Sequence, residues 1–135
     1  MQTGPAILIA AKPGLMRDGF QAVLTAIPRA KVMDPADNRA SALRAVAERQ
    51  PALILLDTNL PDDQVWTLLE QVKAQWPHVQ CLVLAENRRQ RQTARAAGAD
   101  RVLIKGCPAK EFYAITNELL ARQRVGQDLV SSVLV

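Results

Sequence analysis

The sequence predicts an α/β fold: an open, doubly wound sheet of parallel strands with helices on both faces. Five short apolar runs alternate with five segments whose apolar residues repeat with a helical period. Alternation of strands and helices is typical of a parallel sheet. The strongest apolar runs contain no polar residue, as expected of strands buried on both faces. The length of 135 residues corresponds to one domain.

The first half of the chain supplies two strand–helix units and the third strand. The predicted elements are a strand at Ala6–Ala11, a helix with its apolar face from Met16 to Ile27, a weak strand at Lys31–Met33, a helix capped by Asp37, and a strand at Ala52–Leu56. Pro28 ends the first helix, because the residue before a proline avoids the helical conformation. Asp57 follows the third strand directly.

The second half continues the alternation. The predicted elements are a helix from Val65 to Trp76, a strand at Val79–Ala85, a polar helix at Arg88–Ala97, a strand at Arg101–Ile104, and a last helix carrying Phe112, Ile115 and Leu119. Gly98 is placed to end the fourth helix. Gly126 is predicted to break the last one. The domain is therefore expected to cover residues 1–124.

Residues 125–135 form an apolar tail in which five of the last seven residues are Leu or Val. Free tails are usually more polar. Two interpretations stay open: the tail packs on its own domain as a strand or helical turn, or it forms a homodimer contact.

Composition excludes several classes of protein. Apolar residues make up 49% and charged residues 22%, which argues against disorder. No apolar run reaches the length of a membrane span, and the first residues lack the features of a secretory signal. Two cysteines cannot form a disulfide framework. We therefore expect a cytoplasmic protein without membrane association. A net charge of +4 permits an anionic partner without requiring one.

Charged side chains follow the predicted strands at one edge of the sheet. Ala11 and Lys12 follow the first strand, Asp57 the third and Lys105 the fifth, while Ala85 ends the fourth. Ligands of open α/β sheets bind at the carboxyl ends of the strands, where these residues would meet. The sequence thus predicts one carboxylate and two ammonium groups in one pocket.

Five segments resemble response-regulator receiver domains. Ala52–Asp62 resembles their phosphoacceptor segment, and Val102–Gly106 resembles the segment with their invariant lysine. Leu15–Phe20, Trp76–His78 and Ala97–Asp100 are similar to the NarL/FixJ subgroup. The resemblance spans residues 6 to about 124. It implies a flavodoxin-like fold with strand order 2-1-3-4-5 and a function in two-component, or phosphorelay, signal transduction.

The resemblance also implies roles for individual residues. Asp57 matches the aspartate that accepts a phosphoryl group from a histidine kinase, and Lys105 matches the lysine that contacts that group. In the family, magnesium is held by two acidic residues after the first strand, by the acceptor aspartate, and by a backbone carbonyl that matches Asn59.

This sequence departs from the family pattern at four positions. Ala11 and Lys12 stand where the acidic pair is expected, Ala85 replaces a Ser or Thr, and Val102 replaces an aromatic residue. Magnesium requires oxygen ligands, and Ala11 offers none from its side chain. We therefore expect no metal and no cofactor, and we expect Lys12 to pair with Asp57 as a substitute for the cation.

These departures favour a degenerate receiver that acts as a protein-interaction module, with weak or no metal-dependent phosphorylation. The alternative is an active phosphoacceptor at Asp57 in which Lys12 replaces magnesium. An enzyme is disfavoured, because no nucleophile lies with a matching base. The partner is expected to be a histidine kinase or an output protein, or a second copy of the chain.

Arginines gather around the fourth helix: Arg88, Arg89, Arg91, Arg95 and Arg101. This face could contact an acidic partner or the phosphates of a nucleic acid, although most such clusters are simply solvated. No helix-turn-helix unit follows the last helix, so sequence-specific DNA binding by this chain alone is not expected.

Overall fold

The computed structural model describes residues 4–61 and 64–134, with side chains described up to Arg122. Strands and helices alternate along these segments. The strands are β1 (Ala6–Ala10), β2 (Lys31–Val32), β3 (Leu53–Asp57), β4 (Gln80–Ala85) and β5 (Arg101–Ile104). The helices are α1 (Leu15–Thr25), α2 (Arg39–Arg49), α3 (Gln64–Gln75), α4 (Arg88–Ala96) and α5 (Ala109–Leu134).

The five strands form one parallel sheet in the order β2-β1-β3-β4-β5. This confirms the predicted fold class and strand order. Ala10 pairs with Leu56, and Asp57 pairs with Leu84. The carboxyl ends of β1, β3 and β4 therefore lie nearly level, which places Ala11 beside Asp57.

Each face of the sheet has its own apolar core, because successive residues of a strand point to opposite faces. Leu8, Ile54 and Leu56 pack with the inner residues of α2, α3 and α4. Ile7 and Leu55 pack on the other face, with residues of α1 and α5. The helices thus cover both faces, and the three central strands, β1, β3 and β4, are almost fully buried.

The start of α2 differs by one residue from the prediction. Asn38, not Asp37, caps the helix: its side chain accepts from the backbone N–H of Ser41, and Ser41 Oγ accepts from the N–H of Asn38. This reciprocal pair satisfies two backbone donors at once. Asp37 instead forms an ion pair with Arg17.

The end of α5 also differs from the prediction. Gly126 does not break the helix, which runs continuously from Ala109 to Leu134. One interior glycine costs only about 1 kcal/mol relative to alanine, which helical neighbours on both sides can offset. Whether the tail packs on its own domain or on another chain lies outside the described side chains. Within the described residues, no helix combines the length and the apolarity that a bilayer crossing requires.

Candidate functional site

Asp57 is the buried carboxylate at the carboxyl end of β3. The preceding residues, Leu53–Leu56, are all buried apolar residues, and this continuous run holds β3 in the centre of the sheet. Asp57 itself is only 3% exposed. Burial of a charged carboxylate is costly unless the charge is paired and hydrogen-bonded, so its partners define the site.

Lys105 is the cation that pairs with Asp57. Its Nζ lies 2.5 Å from Oδ1 of Asp57, and its side chain is 11% exposed. The backbone N–H of Lys105 donates to the carbonyl of Ala85 at 2.7 Å, which continues the β5 ladder by one residue. Gly106 then turns the chain at φ +92°, a conformation that glycine adopts at low cost. The predicted meeting of Asp57 and Lys105 is present.

Two further residues complete a polar network around the pair. Glu86, the first residue after β4, has its Oε1 at 3.5 Å from Lys105 Nζ. The side-chain amide of Asn59, oriented to satisfy both neighbours, donates to Glu86 Oε1 at 2.9 Å and accepts from Lys105 Nζ at 3.2 Å. The backbone N–H of Asn59 donates to Asp57 Oδ1 at 2.9 Å. Thus Asp57 Oδ1 receives a charged and a neutral donor.

Sequence reasoning missed Glu86 and the side-chain role of Asn59. The resemblance assigned Asn59 only a backbone carbonyl. Glu86 lies in the loop between β4 and α4. The position directly after a buried strand was the available signal, because the same logic identified Asp57.

The expected pair between Lys12 and Asp57 is absent from the ion pairs of the described residues, and Lys12 is exposed. Ala11 is fully buried, and its N–H donates to the carbonyl of Ala36 at 3.1 Å. Successive side chains of an extended chain point in opposite directions. Because the side chain of Ala11 points inward, that of Lys12 points outward. The prediction for Lys12 was therefore wrong, and the methyl group of Ala11 is the neighbour of Asp57 on this side.

Arg17 is the cation at the β1 side of this edge. Its guanidinium donates to the backbone carbonyl of Ala11 at 3.2 Å and pairs with Asp37, which follows β2. The Arg17 side chain is only 15% exposed, and its Nε is enclosed without a hydrogen-bond partner among the described residues. This contact ties the loop after β1 to the loop after β2.

The donor set of this edge does not fit magnesium. The ion prefers several oxygen ligands with near-octahedral geometry, and protein sites usually supply one or two carboxylates. Here one oxygen of Asp57 already accepts from Lys105 and from Asn59 N–H, and Ala11 provides no side-chain oxygen. In the described ranges no group of three His, Cys, Asp or Glu side chains could hold a metal ion.

The two expected switch positions are packed residues without reactive groups. Ala85 is fully buried at the end of β4. Val102 on β5 is half-buried and packs against the core formed with α2, α3 and α4. Ala85 pairs with Ile104 and Val102 pairs with Val83, so both positions lie along the contact between β4 and β5.

The five arginines around α4 do not form one uniform patch. Arg88, Arg89 and Arg95 are exposed, whereas Arg91 and Arg101 are half-buried. Arg101 donates to both carboxylate oxygens of Glu118 on α5, at 3.0 and 3.1 Å. Its charge is thus already matched within the domain.

A family model described as the response regulator receiver domain matches residues 7–117. The transcriptional regulatory protein CitT of Bacillus subtilis (strain 168) is 25% identical over 112 residues, which cover 76% of this chain and 50% of that protein. The chain therefore spans about half the length of the curated relative that it matches.

Solved structures show the same fold at low identity. The signal receiver domain of an HD domain-containing protein from Pseudomonas fluorescens Pf-5 superposes with a TM-score of 0.81 at 22% identity, covering 93% of both chains. A CheY-like receiver domain protein from Methanospirillum hungatei JF-1 gives 0.81 at 21% identity, covering 92% of this chain and 99% of that one. NtrX from Brucella abortus gives 0.82 at 21% identity, covering 96% of this chain and 29% of that one.

Proposed function

The chain belongs to the response regulator receiver domain family of two-component signalling, and on this basis we propose that it is a degenerate receiver of the NarL/FixJ type. It acts in the cytoplasm as a protein-interaction module, it has no enzymatic activity of its own, and metal-dependent phosphorylation of Asp57 is weak or absent. The observation that carries this proposal is the environment of the Asp57 carboxylate: its Oδ1 accepts from Lys105 and from the N–H of Asn59, and the neighbouring strand end supplies Ala11, which has no side-chain oxygen.

Phosphoryl transfer to a carboxylate depends on positioning and on cancelling the charge around the transferred group. In this site the charge of Lys105 is shared between Asp57 and Glu86. An incoming phosphoryl group would meet a second carboxylate, Glu86, with no metal ion to offset the repulsion. The local charges therefore oppose transfer.

The β1 side supports the same proposal. Arg17 donates to the backbone carbonyl of Ala11, one of the two positions where the family pattern has acidic residues, and it also pairs with Asp37. We propose that Arg17, instead of Lys12, supplies the permanent positive charge of this edge. A tethered cation cannot bridge a carboxylate and a phosphoryl group in the manner of a metal ion.

The missing switch residues support a binding role. A modification shifts a conformational equilibrium only if it interacts differently with the two states. Ala85 has no hydroxyl that could follow a phosphoryl group, and Val102 has no ring that could change position. We propose that the protein presents one constant surface to its partner.

A phosphodonor assay tests the proposal. The full chain is incubated with acetyl phosphate, with and without magnesium, and intact mass is measured, with Asp57→Ala as the control. We expect no adduct beyond the level of that control under either condition. A stable adduct that requires both Asp57 and magnesium would overturn the proposal.

The same assay identifies the alternative function, a metal-independent phosphoacceptor. The observation that favours it is the closeness of the Lys105 ammonium group to Asp57. An adduct that forms equally without magnesium and is lost in both Asp57→Ala and Lys105→Ala would establish this function. Since Lys12 is exposed, Lys12→Ala should leave such an adduct unchanged and serves as the matched lysine control.

The partner is proposed to be a protein, either a histidine kinase or an output protein. Leu15 is 90% exposed and Met16 is 48% exposed at the start of α1, close to the Asp57 edge. Large apolar side chains exposed together often mark a contact surface.

Self-association through the apolar tail is a separate proposal. Sedimentation of the full chain and of a chain ending at Arg124 tests it: we expect a dimer for the first and a monomer for the second. Equal masses for the two chains would exclude the tail as the contact.

A further inference from the structure

A groove with a volume of about 380 Å³ runs along β5 at the open edge of the sheet. Arg91 of α4 lines one side, residues 101–107 form the floor, and Glu111 of α5 lines the other side. The volume is within the range of small-molecule sites, about 300–1,000 Å³. Asp57 does not line this groove, so a ligand bound there would have a role beyond the proposed function.

Arg91 has unused hydrogen-bonding capacity in this groove. Its Nε is enclosed and has no hydrogen-bond partner among the described residues, and the ion pairs of those residues do not include Arg91. The enclosed Nε is not reachable from the groove, so a ligand there would bind through the terminal N–H groups of the guanidinium, for which no ion pair or side-chain hydrogen bond is found among the described residues. A guanidinium fits a phosphate or carboxylate through two parallel hydrogen bonds.

The other cations that line the groove are already paired. Arg101 contacts Glu118 at 3.0 Å, and Lys105 contacts Asp57 at 2.5 Å. Arg91 therefore provides the charge that is still available to a ligand. Glu111 on the opposite side disfavours a ligand that is anionic along its whole length.

The backbone of β5 offers further contacts. Lys105 N–H donates to Ala85 O, toward β4. Because backbone groups alternate in direction along a strand, the N–H groups of Val102 and Ile104 point to the open edge, where no strand pairs with them. These groups can bind the polar atoms of a ligand that extends from Arg91 along the strand.

We propose that this groove binds a small organic oxyanion, with its phosphate or carboxylate group on Arg91 and the rest of the molecule along the β5 edge. The volume exceeds what a single inorganic ion fills, so the organic part contributes to the affinity. A phosphate ester and an organic monocarboxylate share the required chemistry, and the experiment separates them.

Calorimetric titration of the full chain with adenosine monophosphate, benzoate, inorganic phosphate and an acidic peptide tests the proposal, with amide NMR shifts to locate binding. We expect saturable binding of at least one organic anion, shifts at residues 101–106, and weaker binding of inorganic phosphate. Arg91→Ala should weaken binding about tenfold or more. Arg91→Lys keeps the charge without the planar fork and should give a smaller loss.

Arg88→Ala is the matched control, because Arg88 is an exposed arginine of the same helix outside the groove. It should change the affinity by less than about twofold. Equal losses of affinity in Arg88→Ala and Arg91→Ala would overturn the proposal, because they would indicate a general attraction of anions to the positive charge of α4. Absence of saturable binding by both organic anions would also overturn it. So would Arg91-dependent binding of an acidic peptide alone, which would identify the groove as a peptide site.

Discussion

Lys105 and Asp57 form an ion pair across an intervening strand. Asp57 ends β3 and Lys105 follows β5, with β4 between them, yet Nζ and Oδ1 are 2.5 Å apart. The residue at the end of β4 is Ala85, whose side chain is only a methyl group. The lysine side chain is long enough to pass this position and reach the carboxylate. The pair therefore links the third strand of the sheet to its edge strand.

Removal of Lys105 should destabilise the fold strongly. Lys105→Met leaves the carboxylate of Asp57 buried without its cation, which costs about 3 kcal/mol of unfolding free energy. The double variant Asp57→Asn, Lys105→Met should recover most of this loss, because no uncompensated charge remains. Urea denaturation measures both variants, with the exposed Lys110→Met as control. A double variant no more stable than Lys105→Met would show that the pair does not account for the loss.

Two acidic substitutions should create a magnesium site. Ala11 lies level with Asp57, so Ala11→Asp places a second carboxylate beside the first, and Lys12→Asp replaces the exposed positive charge of the adjoining loop by a negative one. We expect calorimetry to detect magnesium binding by the double variant and none by the natural chain. The exposed pair Ala109→Asp, Lys110→Asp makes the same change in net charge and serves as the control. Equal heats for the double variant and this control would contradict the assigned geometry of the edge.

The two cysteines should differ in reactivity. Burial raises the pKa of Cys81 from its ordinary value near 9 to about 12, whereas Cys107 is less buried, and burial and then Glu111 raise its pKa. The thiolate is the reactive form. A thiol reagent at pH 8 should therefore label Cys107 first, and should label Cys81 only on unfolding. Labelling of Cys81 at the rate of Cys107 would contradict the burial of β4.

Cys81 also affects stability at alkaline pH. The pKa of its thiol is higher in the folded state than in the unfolded state, so unfolding releases its proton between about pH 9 and 12. The stabilisation is complete below pH 9 and is lost as the pH rises through this window. Cys81→Ala should show a shallower loss of stability between pH 9 and 11 than the natural chain. Identical slopes in denaturation experiments would exclude this contribution.

The sequence predicted correctly those site residues whose position depends only on where a strand ends. Asp57 and Lys105 follow apolar runs directly, and parallel strands bring such residues together. Lys12 was placed wrongly because an apolar run does not show which residue at its end still points inward. Arg17 was missed because its role depends on Asp37, a residue of another loop. Ion pairs between charged residues that are distant along the chain leave no periodic pattern in a single sequence.

In the segment Ala97–Asp100, which resembles the NarL/FixJ pattern, Asp100 has a structural role. Asp100 Oδ2 accepts from the N–H of Cys81 at 2.7 Å and from Lys73 Nζ at 2.9 Å. The same ammonium group donates to the carbonyls of Pro77 and Val79 at 2.9 and 3.1 Å. One lysine of α3 thereby fixes the entry to β4, and Asp100 joins it to the start of β5.

Asp100→Ala should therefore destabilise the domain by about 2 to 3 kcal/mol, since it leaves the Cys81 N–H without an acceptor and Lys73 without its anion. Asp100→Asn retains an acceptor for that N–H and should lose about half as much. Urea denaturation gives both values, and the exposed Asp34→Ala provides the matched control. Equal destabilisation by the Ala and Asn variants would assign the whole effect to the charge of Asp100. A loss no greater than that of the control would show that this contact does not stabilise the entry to β4.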